Sequence, residues 1–185
     1  MRARLGSGTV PATSDRPAVW AIDDEVIHLR EWATDTVHPL IQDARGAILD
    51  GATAASARLS RVNLAGASMR GMDLQAAIAR DCDLSDANLT RVRWHGGAAI
   101  RCSFAGAELL DLAADRTVFL DCDLQGADLS AGEQGARATL AGAQFLRCDL
   151  RWSRWEHRAL AGVRFVGCQL HGMLGVPRPG DEEAS

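Results

Sequence analysis

Five cysteines, five histidines and a scatter of carboxylates are the side chains here that could do chemistry. The cysteines are Cys82, Cys102, Cys122, Cys148 and Cys168, separated by 20, 20, 26 and 20 residues. A zinc site wants thiolates in close Cys-x2–4-Cys pairs, and this spacing supplies none. His28, His38, His95, His157 and His171 share no spacing that would converge them on a metal. There is no glycine-rich phosphate loop, no nucleophile elbow and no Cys–His pair. The expectation is therefore a protein with no catalytic residues, no cofactor and no metal. Three of the cysteines are followed directly by an acid, at Asp83, Asp123 and Asp149. Chemically active residues that keep a 20-residue beat describe the element that carries them.

That beat belongs to an internal repeat, the first thing to establish in any sequence. One phrase occurs three times: Phe119-Leu120-Asp121-Cys122-Asp123-Leu124, Phe145-Leu146-Arg147-Cys148-Asp149-Leu150 and Phe165-Val166-Gly167-Cys168-Gln169-Leu170. Within each copy the large apolar residues are five apart, and the step extends in both directions to 24 units. Every central position is apolar, and all five cysteines lie two residues before a centre, where alanine otherwise dominates. A strand alternates with period 2 and a helix with 3.6. A period of five with two inward positions needs a backbone that turns a corner at each unit, and four corners close a coil of 20 residues.

Four walls follow. Wall A carries Leu64, Leu84, Phe104, Leu124, Leu150 and Leu170; wall B carries Leu49, Met69, Leu89, Leu109, Leu129 and Trp155. Wall C carries Ala54, Leu74, Trp94, Ala114, Leu140 and Leu160; wall D carries Leu59, Ala79, Ala99, Phe119, Phe145 and Phe165. Leu129 and Leu140 are 11 residues apart where five were due. A looped-out insert of six within 130–137, carrying Glu133 and Gln134, keeps Phe119 over Phe145 and Cys122 over Cys148. The cysteines then form one column of small buried hydrophobes.

The pattern resembles the pentapeptide-repeat family, on matches such as Ala87-Asn88-Leu89, Ala127-Asp128-Leu129, Cys82-Asp83-Leu84, Cys122-Asp123-Leu124 and Cys148-Asp149-Leu150. The resemblance implies an all-β solenoid, a right-handed quadrilateral β-helix, here of about six coils over residues 46–172. At ~4.8 Å per rung the rod is roughly 29 Å long. Residues 1–17 are expected to be a disordered segment, and 173–185 a tail ending in acids. Within 18–45 a helix is expected from Ile22 to about His38. Asp23 or Asp24 would cap it, and Val26, Leu29, Ala33 and Val37 would share one face beside Trp32. It would plug the N-terminal end of the solenoid as an α-helical cap.

The formal net charge of -4 disfavours direct nucleic-acid binding. No run of about 18 apolar residues offers a membrane span, and residues 1–17 lack the apolar core of a signal peptide. A cytoplasmic location is expected. By wall the charge is uneven: walls A and B hold nine acids against four arginines, walls C and D four against nine. The best-understood relatives bind type II DNA topoisomerases such as gyrase by imitating DNA, and protect them from quinolones or a self-made toxin. The resemblance thus implies a topoisomerase partner, with an unrelated protein partner as the alternative. The partner-binding candidates are Asp83, Asp123, Asp128, Asp149, Glu133, Gln134, Trp152 and Arg154. A homodimer is expected through the C-terminal end, using Phe165, Leu170, Met173 and Leu174.

Overall fold

The computed structural model describes residues 42–132, 138–156, 160 and 162–175, and the backbone of 19–22 and 25–28. Its strands are β1 (Val19–Ile22), β2 (Glu25–His28), β3 (Gln42–Asp43), β4 (Arg58–Ser60), β5 (Val62–Asn63) and β6 (Ile78–Arg80). They continue as β7 (Ala98–Ile100), β8 (Val118–Leu120), β9 (Asp128–Leu129), β10 (Gln144–Leu146), β11 (Arg154–Trp155) and β12 (Arg164–Val166).

From β3 onward the chain is a parallel β-solenoid. Wall D is a six-stranded sheet in the order β12-β10-β8-β7-β6-β4. Successive rungs on the other walls are joined by β3–β5, β9–β11 and isolated parallel bridges such as Asp83↔Ser103 and Asn88↔Glu108. The backbone ladder repeats at each unit. The N–H of Leu64 donates to Asp83 in the next coil, and the N–H of Asp83 donates back to Val62. Across the insert the step is 26 residues: Phe119 pairs with Phe145, Asp123 with Asp149 and Leu129 with Trp155.

Five-residue units turn because one residue in five bends the chain. From Gly46 to Gly126 every fifth residue, two after each centre, has positive φ, and the beat resumes at Gly142 after the insert. Glycine takes this conformation freely; Arg61, Ala76, Asp81 and seven other non-glycine residues on the same beat, with Arg147 and Trp152 after the insert, are held in it by the ladder. A side chain there costs about 1–2 kcal/mol, against roughly 0.5–1 kcal/mol for the extra freedom of an unfolded glycine. Ala76→Gly at φ 55° should therefore raise stability by about 0.5–1 kcal/mol. The check is a higher denaturant midpoint at unchanged m-value.

The interior is a column of packed side chains. Phe119 and Phe145 stack with centroids 4.6 Å apart, and Phe145 and Phe165 at 5.5 Å. Trp94 sits edge-on to Phe119 at 6.1 Å. The two inward tryptophans bring polar N–H groups, and each finds an acceptor. Trp94 Nε1 donates to the Ala77 carbonyl at 3.0 Å, and Trp155 Nε1 to Ser153 Oγ at 2.7 Å. Thr117, also inward, donates to the Trp94 carbonyl.

The helix expected from Ile22 does not begin there. Ile22 and residues 25–28 are strand, with β1 and β2 antiparallel and Ile22 opposite Glu25. Val19, Ile22, Val26 and Ile27 are β-branched, and two such runs separated by two residues make a hairpin pattern. That pattern outweighs the capping signal of Asp23 and Asp24. The remainder of the expected helix and its capping role fall at residues 29–41, outside the described residues, as do the expected disordered 1–17.

Candidate functional site

The acids singled out from the sequence stand one residue before a centre, and the turn explains why. Asp83 Oδ1 accepts the Ser85 N–H at 3.0 Å, Asp123 Oδ1 that of Gln125 at 3.0 Å and Asp149 Oδ1 that of Arg151 at 3.1 Å. Asp128 does the same for Ser130, and so do the uncharged Asn63 and Asn88 for Ala65 and Thr90. These are Asx turns. The first duty of each acid is to its own corner, and asparagine performs it equally.

Charge is what remains. Asp83, Ser103, Asp123 and Asp149 form one continuous column on wall A, bridged rung to rung. Asp149 is met by Arg151 at 2.6 Å, which holds its carboxyl below the usual range. Asp128 has Arg154 of the next rung at 3.9 Å. Asp83 and Asp123 have no ion pair of this kind among the described residues. Trp152 is 60% exposed at the corner between walls A and B, edge-on to His171 at 5.1 Å. Arg154 is exposed beside it. The structure thus brings Asp123, Asp149, Trp152, Arg154 and Asp128 onto adjoining walls of the last coils. Glu133 and Gln134 lie outside the described residues.

One residue at the root of the insert escaped the sequence reading. Asp111, buried, accepts the Gly132 N–H at 2.7 Å and lies 3.8 Å from Arg91. Its signal was a carboxylate at a corner facing the break in the five-step. On walls C and D the acids are largely consumed by neighbours. Arg101 grips Asp81 at 2.6 and 2.8 Å, and Arg147 grips Asp121 at 2.7 Å through both nitrogens. Both carboxyls are held below their ordinary range by those guanidiniums. Arg93 reaches Asp73 at 3.1 Å.

The cysteines are unbridged and stacked in one column. The adjacent Cys122 thiol and burial push Cys102 up to about 12, and Cys82 is raised further by Cys102 and burial. Both are protonated thiols at neutral pH, and only thiolates are nucleophiles or metal ligands. Among the described residues no group of three His, Cys, Asp or Glu side chains could hold a metal ion, and no helix is long and apolar enough to cross a membrane.

At the far end, Phe165 and Met173 are half-buried against the core, while Leu170 and Leu174 are 44% and 53% exposed. These are the four residues expected at a dimer interface.

A four-walled parallel solenoid with a left-handed corner every fifth residue is one class of architecture, built from five-residue units. The family model for pentapeptide repeats matches residues 43–72 and 57–93, in eight copies, and the same geometry continues through the described coils beyond them. Residues 43–93 match the pentapeptide-repeat family, and the chain is similar to it there. No curated protein matches the sequence. Among solved structures, a trypsin-treated form of QnrB1, a plasmid-mediated fluoroquinolone resistance protein, is 17% identical over 71% of each chain, with TM-score 0.42. HetL, a pentapeptide repeat protein involved in heterocyst differentiation regulation from the cyanobacterium Nostoc, is 23% identical over 73% of this chain and 68% of its own, with TM-score 0.27. A pentapeptide repeat protein from the Arabidopsis thaliana thylakoid lumen is 19% identical over 75% and 73%, with TM-score 0.27.

Proposed function

We propose that this protein is a non-catalytic binding rod whose partner is a type II DNA topoisomerase, gyrase, which it protects from a poison. It does so in the cytoplasm, by mimicry of DNA and without binding nucleic acid itself. The observation that carries the reading is the wall A column. Asp83 and Asp123 present carboxylates from corners fixed by hydrogen bonds, so their charge is displayed without the entropy cost of ordering a side chain on binding. A rigid line of negative charge is what a DNA-binding groove, positive along its length, is built to receive.

Reversing these acids to arginine would break the Asx turns and confound binding with folding. Asparagine keeps the acceptor and removes the charge, as Asn63 and Asn88 do in the native chain. The Asp83→Asn, Asp123→Asn, Asp149→Asn triple variant should melt as the parent does. Gyrase supercoiling in the presence of a fluoroquinolone, the drug class named for QnrB1, should be rescued by the parent and not by the triple variant. Equal rescue by both would remove wall A from the reading. The exposed Trp152 beside Arg154 favours a second reading, a scaffold for an unrelated protein, since tryptophan and arginine concentrate at binding hot spots. That reading expects no effect on gyrase at all.

The rod acts as a homodimer joined at its last coil. Leu170 and Leu174 leave apolar surface beside a rung that has no further partner among the described residues, and an open strand edge invites pairing. Sedimentation equilibrium at micromolar concentration should return twice the chain mass, and Met173→Asp with Leu174→Asp should return one. A single-chain mass for the parent at all concentrations contradicts this.

A further inference from the structure

The outer face of wall D is unlike the other three. Its strands alternate out-in-out, with Leu59, Ala79, Ala99, Phe119 and Phe145 buried between two outward positions. Seven of the twelve outward positions of the sheet are aliphatic. Ile100, Leu120, Leu146 and Val166 stand in register on consecutive rungs. Ile78, Ala98 and Val118 form a second column beside them. Val166 is 49% exposed and the others are partly exposed. Along walls A, B and C the matching positions are polar or alanine, apart from Ile48, Leu110 and Leu174. β-Propensity accounts for branched residues in strands, but Leu120 and Leu146 are not branched at Cβ. A contiguous exposed apolar patch rimmed by charge marks an interaction surface.

The rim is net positive. Five arginines frame the sheet, at Arg61, Arg80, Arg101, Arg147 and Arg164. Its two aspartates, Asp81 and Asp121, are held by Arg101 and Arg147. The frame therefore stays positive and selects an acidic occupant. The stripe also has a pitch: one aliphatic side chain per rung, ~4.8 Å apart. An α-helix lying along the rod offers one side chain per turn, every ~5.4 Å. Over three rung steps, roughly 14 Å, the two repeats stay within a side chain's reach of one another.

We propose that the outer face of wall D is a docking surface for an acidic amphipathic helix of a partner protein, with aliphatic residues once per turn on the Ile100–Leu120–Leu146–Val166 stripe and flanking carboxylates on the surrounding arginines. The mode is helix-in-groove recognition with charge setting the choice of partner. The surface is opposite wall B and separate from the acidic column of wall A. It stands or falls independently of the topoisomerase reading.

The test uses two synthetic helical peptides of about four turns, identical in their leucines. One is flanked by glutamate and the other by lysine, and binding is followed by fluorescence anisotropy. The full-length chain should bind the glutamate peptide, and the lysine peptide at least tenfold more weakly. Leu120→Thr with Leu146→Thr keeps outward residues suited to a strand, so the melt should be unchanged. In that variant affinity for the glutamate peptide should fall by about tenfold or more. Absence of binding by the parent, equal binding of the two peptides, or undiminished binding by the folded threonine variant would each overturn the proposal.

Discussion

Phe145→Ala should lower the stability of the fold by about 3–5 kcal/mol, the range for a fully buried phenylalanine. The ring lies between Phe119 at 4.6 Å and Phe165 at 5.5 Å, with Trp155 edge-on at 5.1 Å. Truncation leaves a cavity that the rungs cannot close, because each is tied to its neighbours by the backbone ladder. Phe145 also couples the coils before the insert to those after it. Chemical denaturation read by tryptophan fluorescence measures the loss. A change below about 1 kcal/mol would mean that the ring does not fill the core as described.

Gly97→Ala should cost about 2–6 kcal/mol, far more than a glycine-to-alanine change in an ordinary turn. The cause is space. A Cβ at this position would sit 2.4 Å from Trp94 Cδ1 and Nε1 and 2.5 Å from the Ala77 carbonyl oxygen. Backbone on one side and a buried indole on the other leave it no exit. Overpacking costs about 1–3 kcal/mol. Displacing the indole breaks the bond from Trp94 Nε1 to Ala77, leaving a buried N–H unsatisfied for about 1–3 kcal/mol more. Trp94 is the largest residue of wall C, where Ala54 and Ala114 occupy other rungs, and Gly97 is the hollow that admits it. A denaturant midpoint equal to that of the parent would contradict this pairing of the two residues.

The solenoid was legible because one demand, an apolar residue every fifth position, is repeated 24 times and outweighs local exceptions. The insert was legible for the same reason, since Phe145 and Cys148 keep their walls only if six residues are set aside. The left-handed corner was present too, in glycines at 46, 51, 66, 71, 96, 106 and 126, but arginine and aspartate at the same beat disguised it. The N-terminal hairpin was missed because capping aspartates and an apolar face at helical spacing agreed with each other. Pairing between β1 and β2 decided otherwise.

The candidate site was legible in position and not in meaning. Asp83, Asp123 and Asp149 were read as displayed charge. They are turn-formers first, and Arg151 takes up part of what is left. A sequence does not separate those duties, since the same carboxylate serves both. The aliphatic stripe of wall D was hidden for the opposite reason. Ile100, Leu120 and Leu146 belong to no inward column, and between charged neighbours they read as exceptions until the rungs stack them.

Direct binding of purified gyrase by the parent and by the Asp83→Asn, Asp123→Asn, Asp149→Asn variant, titrated at two salt concentrations, tests the functional reading at its root. Saturable binding by the parent, weakened by salt and by about tenfold or more in the folded variant, is the predicted result. No binding by the parent, or binding that the asparagines leave unchanged, would contradict it.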